Sequence, residues 1–182
     1  ISFSSLSKMI SNFCKRNLTI RKAGPEDCGF IVKLIGQLSQ IALNTKKIPI
    51  NLGIKETYAE MLKDPEHYPI FVAEDRDKNN KVEKLGASIS SIQFMLYLGG
   101  PYLYLQELVV DDKARDKGVG SALVQHLIKY AKDKKMVALD LIQPENNTAC
   151  HEERTKFYTK NGFEMGGCYR YMNFREFVKV VD

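Results

Sequence analysis

The feature that most narrows the fold is a glycine loop set between two regular elements. Arg115-Asp116-Lys117-Gly118-Val119-Gly120-Ser121 follows the apolar run Tyr102–Val110, and an amphipathic segment comes after it. In that segment Leu123, Leu127, Ile128 and Ala131 recur at helical spacing. A helix starting at such a loop offers unpaired N–H groups and partial positive charge, which suits a phosphate. Glycines let the backbone approach an anion closely, and Lys113, Arg115 and Lys117 add charge around it. The pattern is not a P-loop, because Gly120 is followed by Ser121-Ala122 where Lys and Ser/Thr would stand. It is not a dinucleotide fingerprint either. That motif's third glycine would fall at Leu123, and the strands before the loop do not form its βαβ unit. What remains is R-x-x-G-x-G, a motif also compatible with a plain strand-to-helix turn.

The rest of the chain supplies the context. Leu18-Thr19-Ile20-Arg21 alternates as a strand does. Gly24-Pro25-Glu26-Asp27 starts a helix, with Pro at its first position and acids at its positive end. Ile31, Leu34, Ile35, Leu38 and Ala42 mark its buried face. A second helix is predicted from Ile54 to Leu62, ending before Pro65. Ile70–Ala73, Leu85–Leu98 and Tyr102–Val110 read as strands of an antiparallel meander, with Gly99-Gly100 as a hairpin turn. Val137–Ile142 follows a strand and a crossover helix, so it should lie parallel to Tyr102–Val110. A last helix is expected over Thr148–Lys160, closed by Asn161-Gly162. Phe163–Phe174 is expected as a final strand region. The fold class is mixed α/β (α+β), with a mostly antiparallel sheet flanked by helices.

Composition limits what such a chain does. With 182 residues it suits one domain, here residues 18–182 behind an N-terminal arm, 1–17. No apolar run reaches the roughly 20 residues of a membrane-spanning helix. The net charge of +5 favours an anionic ligand but is too small to argue for nucleic acid. The four cysteines form no C-x-x-C pair, and the three histidines are scattered. The expectation is therefore free thiols in a reducing compartment and no metal site. Ile1 to Ala23 contains no acid and several basic residues and serines. Transit peptides share that composition, so a cytoplasmic address is expected with a mitochondrial one left open.

With these elements around it, the loop resembles the pyrophosphate motif of the GNAT superfamily of N-acetyltransferases. Phe157-Tyr158-Thr159-Lys160-Asn161-Gly162-Phe163 resembles a second signature of that family, F-Y-x-x-x-G-F. The likeness spans almost all of Leu18 to Phe174. Near the start, Ile-Arg-Lys-Ala-Gly-Pro-Glu-Asp-Cys and the helix after it look most like the diamine and thialysine acetyltransferases.

This resemblance implies acetyl-coenzyme A as co-substrate, no metal, and a splayed parallel strand pair. It assigns the pyrophosphate to Arg115, Asp116, Lys117, Gly118, Val119, Gly120 and Ser121. Backbone groups of Leu108, Val109 and Val110 would bond the pantetheine arm, and an N–H there can polarise the thioester carbonyl. Tyr158 would protonate the departing thiolate; its other reading is a structural hydroxyl at a helix end. Glu107 is an acid in an apolar strand, and partial burial would raise its pKa toward the range of a general base. Its other reading is a surface or substrate-orienting acid. The family's pantetheine-binding Asn has no clean counterpart: its position is near His151, which reads as a solvated loop histidine or as an extra acid/base group, and Asn147 is the substitute.

The acceptor is less defined. The diamine and thialysine acetyltransferases hold their cationic substrates with acids after the first helix, but here Ile41–Lys47 is apolar and basic. That disfavours a polyamine, although Glu56 and Glu60 could approach from the second helix. A small primary amine, an amino acid and a peptide N-terminus all stay open, as does a homodimer. Three readings follow: direct acetyl transfer in a ternary complex, a protein or peptide N-acetyltransferase, and a non-catalytic acyl-coenzyme A sensor.

Overall fold

The computed structural model describes residues 17–42, 50–51, 53–76, 81–96, 99–143, 150–166 and 178–179. Strand β1 (Asn17–Lys22) leads through one 3-10 turn (Pro25–Asp27) into helix α1 (Cys28–Ala42). Next come β2 (Ile50–Asn51), α2 (Ile54–Lys63), β3 (Ile70–Arg76), β4 (Val82–Met95) and β5 (Gly100–Val110). A second 3-10 turn (Asp112–Ala114) precedes α3 (Val119–Asp133), β6 (Leu139–Leu141), α4 (His151–Lys160) and β7 (Val178–Lys179). The five-stranded sheet has the order β1-β3-β4-β5-β6, and β2 pairs separately with β7. All of its pairings are antiparallel except β5 with β6, which is parallel as the crossover predicts.

The sheet buries both faces. On β3, Phe71 and Ala73 point to the face covered by α3, while Ile70 and Val72 point to the face covered by α1 and α2. This alternation is the period of two that a doubly covered strand shows. Leu103, Leu105, Leu123 and Leu127 fill the α3 side. Ile31, Leu34, Tyr58, Ala87 and Ile89 fill the other. Burying one such leucine completely contributes about 1.5–3 kcal/mol.

A polar corner ties β1, the first turn and the β3–β4 pair together. Asp27 is 0% exposed. It accepts bonds from both terminal nitrogens of Arg21, at 2.7 and 3.0 Å, and from the Gly24 N–H at 2.9 Å. Lys84 sits 2.5 Å from its other side. Arg21 reaches on to Glu74 through Nε at 3.0 Å. Burial pushes the Asp27 pKa up, but the bonds from Arg21, Lys84 and Gly24 outweigh it and hold the carboxyl well below the usual carboxylate range.

Several expected boundaries shift. The helix predicted from Pro25 opens as a 3-10 turn, because Asp27 is engaged with Gly24 and Arg21. The parallel strand is three residues, Leu139–Leu141, shorter than Val137–Ile142. The last helix begins at His151, after Cys150 in a left-handed conformation. Residues 163–166 are not a strand, contrary to expectation, and 167–174 lie outside the described residues. Cys28 and Cys150 are free thiols; Cys14 and Cys168 lie outside. Among the described residues no helix is long and apolar enough to cross a membrane.

Candidate active site

The β5–β6 pair opens into a wedge. Pairing holds at Leu103↔Leu139, Tyr104↔Asp140 and Leu105↔Leu141, then stops. Among the described residues, the β6-facing edge of β5 from Gln106 to Val110 has no strand partner. On its other edge β5 stays bonded to β4, but the register slips between Ile89↔Glu107 and Ser90↔Leu105, leaving Gln106 as the extra residue of a bulge. A bulge reverses which face the following residues occupy. Leu103 and Leu105 face α3 before it, and Leu108 and Val110 face α3 after it. Glu107 stands opposite Ile89, and Val109 opposite Ala87, on the α1 and α2 side.

A cleft of about 940 Å³ lies against the end of β5 that runs on beyond this pairing. Leu108, Val109 and Val110 line it, as does every residue from Arg115 to Ser121. Gly118 caps α3 with φ +80°, a left-handed conformation that glycine adopts without the strain of a side chain. It supplies no side-chain bond to the helix end. The N–H groups of Val119, Gly120 and Ser121 are the first of the helix and have no helical carbonyl to bond. They and the helix dipole form an anion seat opening on the cleft. Arg115, Lys117, Arg154 and Lys160 line the same space. Arg115 is paired with Asp112 at 2.5 Å, and Lys117 donates to the Lys113 carbonyl. A diphosphate fits this seat, in charge and in donor chemistry.

Two features lock the loop in place. Asp111, buried at the end of β5, accepts from the Lys113 N–H at 3.1 Å and from Lys33 of α1. Gly120 lies against Phe157 of α4: a Cβ there would come within 3.3 Å of the Phe157 ring. A side chain there would press on the Phe157 ring, so the motif's second glycine lets α3 and α4 meet without displacing it.

Tyr158 also lines the cleft. Phe157 and Phe163 meet its ring edge-on, with centroids at 5.1 and 5.5 Å. Helix α4 closes on Gly162, φ +94°, with Gly162 N–H on the Thr159 carbonyl and Phe163 N–H on the Tyr158 carbonyl. That pair of bonds is the Schellman arrangement, as the Asn-Gly sequence predicts. Burial raises the Tyr158 pKa, Arg154 lowers it and Glu107 raises it further.

Glu107 is half-buried, and burial pushes its pKa up to about 7. It does not line the cleft; it stands beside Val109, which does. Asn147 lies outside the described residues. His151 is the first residue of α4, not a loop residue, and meets Gln143 at 3.2 Å and Thr155 at 3.4 Å. Glu56 and Glu60 are exposed on α2 and do not line the cleft; Glu60 bonds Lys63 at 2.6 Å.

Sequence reasoning missed Arg154, Leu38 and Ile41 as cleft residues. Arg154 was within reach of it, since Cys150, Arg154 and Tyr158 fall four apart on one helix face. Nothing local in α1 marks Leu38 and Ile41.

The family model for the acetyltransferase (GNAT) domain matches residues 66–165. No curated protein matches the sequence at significance. Solved structures share the fold. A transcriptional regulator from Bacillus halodurans C-125 is 21% identical, with TM-score 0.69 over 87% of this chain and 100% of that one. A putative acetyltransferase from Agrobacterium tumefaciens str. C58 is 22% identical, with TM-score 0.66 over 85% and 99% of the two chains. Glucosamine-6-phosphate N-acetyltransferase from Arabidopsis thaliana is 21% identical, with TM-score 0.64 over 87% and 99%. The family match covers more than half of the chain, including the anion seat, the wedge and the Tyr158 helix. The chain therefore belongs to the GNAT family of acetyl-coenzyme A-dependent N-acetyltransferases.

Proposed function

We propose that the protein moves the acetyl group of acetyl-coenzyme A directly to a primary amine, with Tyr158 as general acid and Glu107 as general base. One observation carries this reading: a single cleft joins the anion seat of α3, the unpaired end of β5 and the Tyr158 side chain. The coenzyme supplies the activated acetyl group as a thioester. Val119, Gly120 and Ser121 hold its pyrophosphate through their N–H groups, with Arg115 and Lys117 beside them. The free edge of β5 at Leu108–Val110 holds the pantetheine arm, and an N–H there donates to the thioester carbonyl.

Glu107, with a pKa near 7, takes the ammonium proton directly or through water, leaving a neutral nucleophile. As the C–N bond forms and the C–S bond breaks, the Tyr158 hydroxyl gives its proton to the sulfur. Its raised pKa keeps that hydroxyl protonated at neutral pH. No acyl-enzyme is needed. Cys150 lines the cleft, and the neighbouring His151 is engaged with Gln143 and Thr155.

The test is thiol release from acetyl-coenzyme A with a panel of primary amines and short peptides, for the wild type and Tyr158→Phe. The variant should lose about 10²–10⁴-fold in kcat with coenzyme affinity unchanged. Equal turnover would remove Tyr158 from the chemistry. Tight coenzyme binding with no release on any acceptor would favour a non-catalytic coenzyme sensor instead.

A further inference from the structure

Among the described residues, three other than glycine hold a positive φ: Asp116 at +58°, Lys135 at +56° and Cys150 at +58°. Two of them, Asp116 and Cys150, line the cleft. Asp116 belongs to the anion seat itself, two residues before the Gly118 cap of α3. Aspartate takes a left-handed backbone more readily than most residues, and glycine more readily still. The backbone alone therefore does not call for an acid there. The cations on either side of it are engaged: Arg115 pairs with Asp112 at 2.5 Å, and Lys117 donates to the Lys113 carbonyl. Asp116 is exposed, and among the described residues no hydrogen bond or ion pair takes up its carboxylate. A negative charge thus lines the space that a diphosphate enters.

We propose that Asp116 weakens the hold on the diphosphate by like-charge repulsion, and so sets how fast spent coenzyme A leaves. This rests on the diphosphate seat at Val119, Gly120 and Ser121 described above. Acetyl-coenzyme A and coenzyme A carry the same diphosphate, so any gain in that seat holds product as firmly as substrate. A repelling group beside the seat offsets that gain, and product release limits turnover in many enzymes.

The experiment measures coenzyme A affinity by calorimetry and its dissociation rate by stopped flow, for the wild type, Asp116→Asn and Asp116→Gly. Asparagine keeps the shape and the tolerance of a left-handed backbone but removes the charge. Both variants should bind coenzyme A about two- to fivefold more tightly, the scale of one exposed charge pair, with dissociation slowed by the same factor. The gain should shrink in about 1 M salt, where charges are screened beyond about 3 Å. Unchanged or weaker binding by Asp116→Asn would overturn the proposal. So would a gain confined to Asp116→Gly, which would assign the effect to the backbone rather than the charge. Wild-type affinity that rises with magnesium, and loses that rise in Asp116→Asn, would make the carboxylate a partner of the diphosphate through a shared cation and overturn repulsion. Weaker coenzyme binding in Gly118→Ala, with Asp116→Asn unchanged, would leave the seat standing and remove only the role of Asp116. Coenzyme A that binds neither the wild type nor the variants would remove both.

Discussion

Asp27 and Glu107 are two carboxyl groups taken out of water with opposite results. Asp27 is fully buried but surrounded by donors: two nitrogens of Arg21, Lys84 and the Gly24 N–H. Its pKa falls well below the usual range. Glu107 is less buried, yet burial is the one cause acting on it, and its pKa rises to about 7. Burial alone therefore does not set the direction; the partners brought along with it do. The corner around Asp27 spends its polar groups on one another and holds the first turn to the sheet. Near the end of β5 the first N–H groups of α3, those of Val119, Gly120 and Ser121, are instead open to a ligand.

The comparison breaks most visibly at the corner. Asp27→Ala leaves Arg21 and Lys84 without their shared anion and should destabilise the fold by about 3–5 kcal/mol, read by urea unfolding at pH 7. A loss under about 1 kcal/mol, the range of exposed ion pairs, would show that the corner is ornamental. The depressed pKa means that the Asp27 contribution is complete above the unfolded value of about 4. It fades only as pH falls through the lower folded value.

Glu107 has the reverse sign. Its folded pKa is raised, so the folded state binds its proton more tightly, and stability drops as pH rises from the unfolded value through about 7. Glu107→Gln should therefore stabilise the protein at pH 8 by about 1–3 kcal/mol, while abolishing the acid limb of kcat/KM near pH 7. A variant that is less stable at pH 8, or that keeps that limb, would reject the base role. The smallest effect is expected at the cap of α3. Gly118→Ala forces a side chain into a left-handed conformation and should cost about 1–2 kcal/mol, with weaker coenzyme binding by calorimetry. Unchanged stability and affinity together would mean that the loop does not need that geometry.

Much of the site was legible because it is local. The strand, glycines and helix around Arg115–Ser121 are contiguous, and their chemistry follows from the chain direction alone. Tyr158 and its Gly162 stop are likewise within a few residues of each other. The crossover rule gave the parallel pairing of β6 but not its short length, because the point where two strands part depends on what lies between them. The bulge was out of reach. Unbroken alternation from Leu103 and Leu105 would turn Glu107 toward α3, and only the β4 register turns it the other way. The corner network was equally hidden, since Arg21, Glu74 and Lys84 come from three strands. No local pattern links them.

Phe157 against Gly120 has a mechanical consequence. Asn161 adds a second tie, reaching Ser121 at 3.4 Å while bonding the Phe157 carbonyl at 2.8 Å. The start of α3 and the far end of α4 are thus clamped at two points one helical turn apart. The phenol next to Phe157 rides on that clamp. A displacement at the phosphate end would be passed to the tyrosine as a lever passes it, so the proton donor and the diphosphate seat keep a fixed spacing.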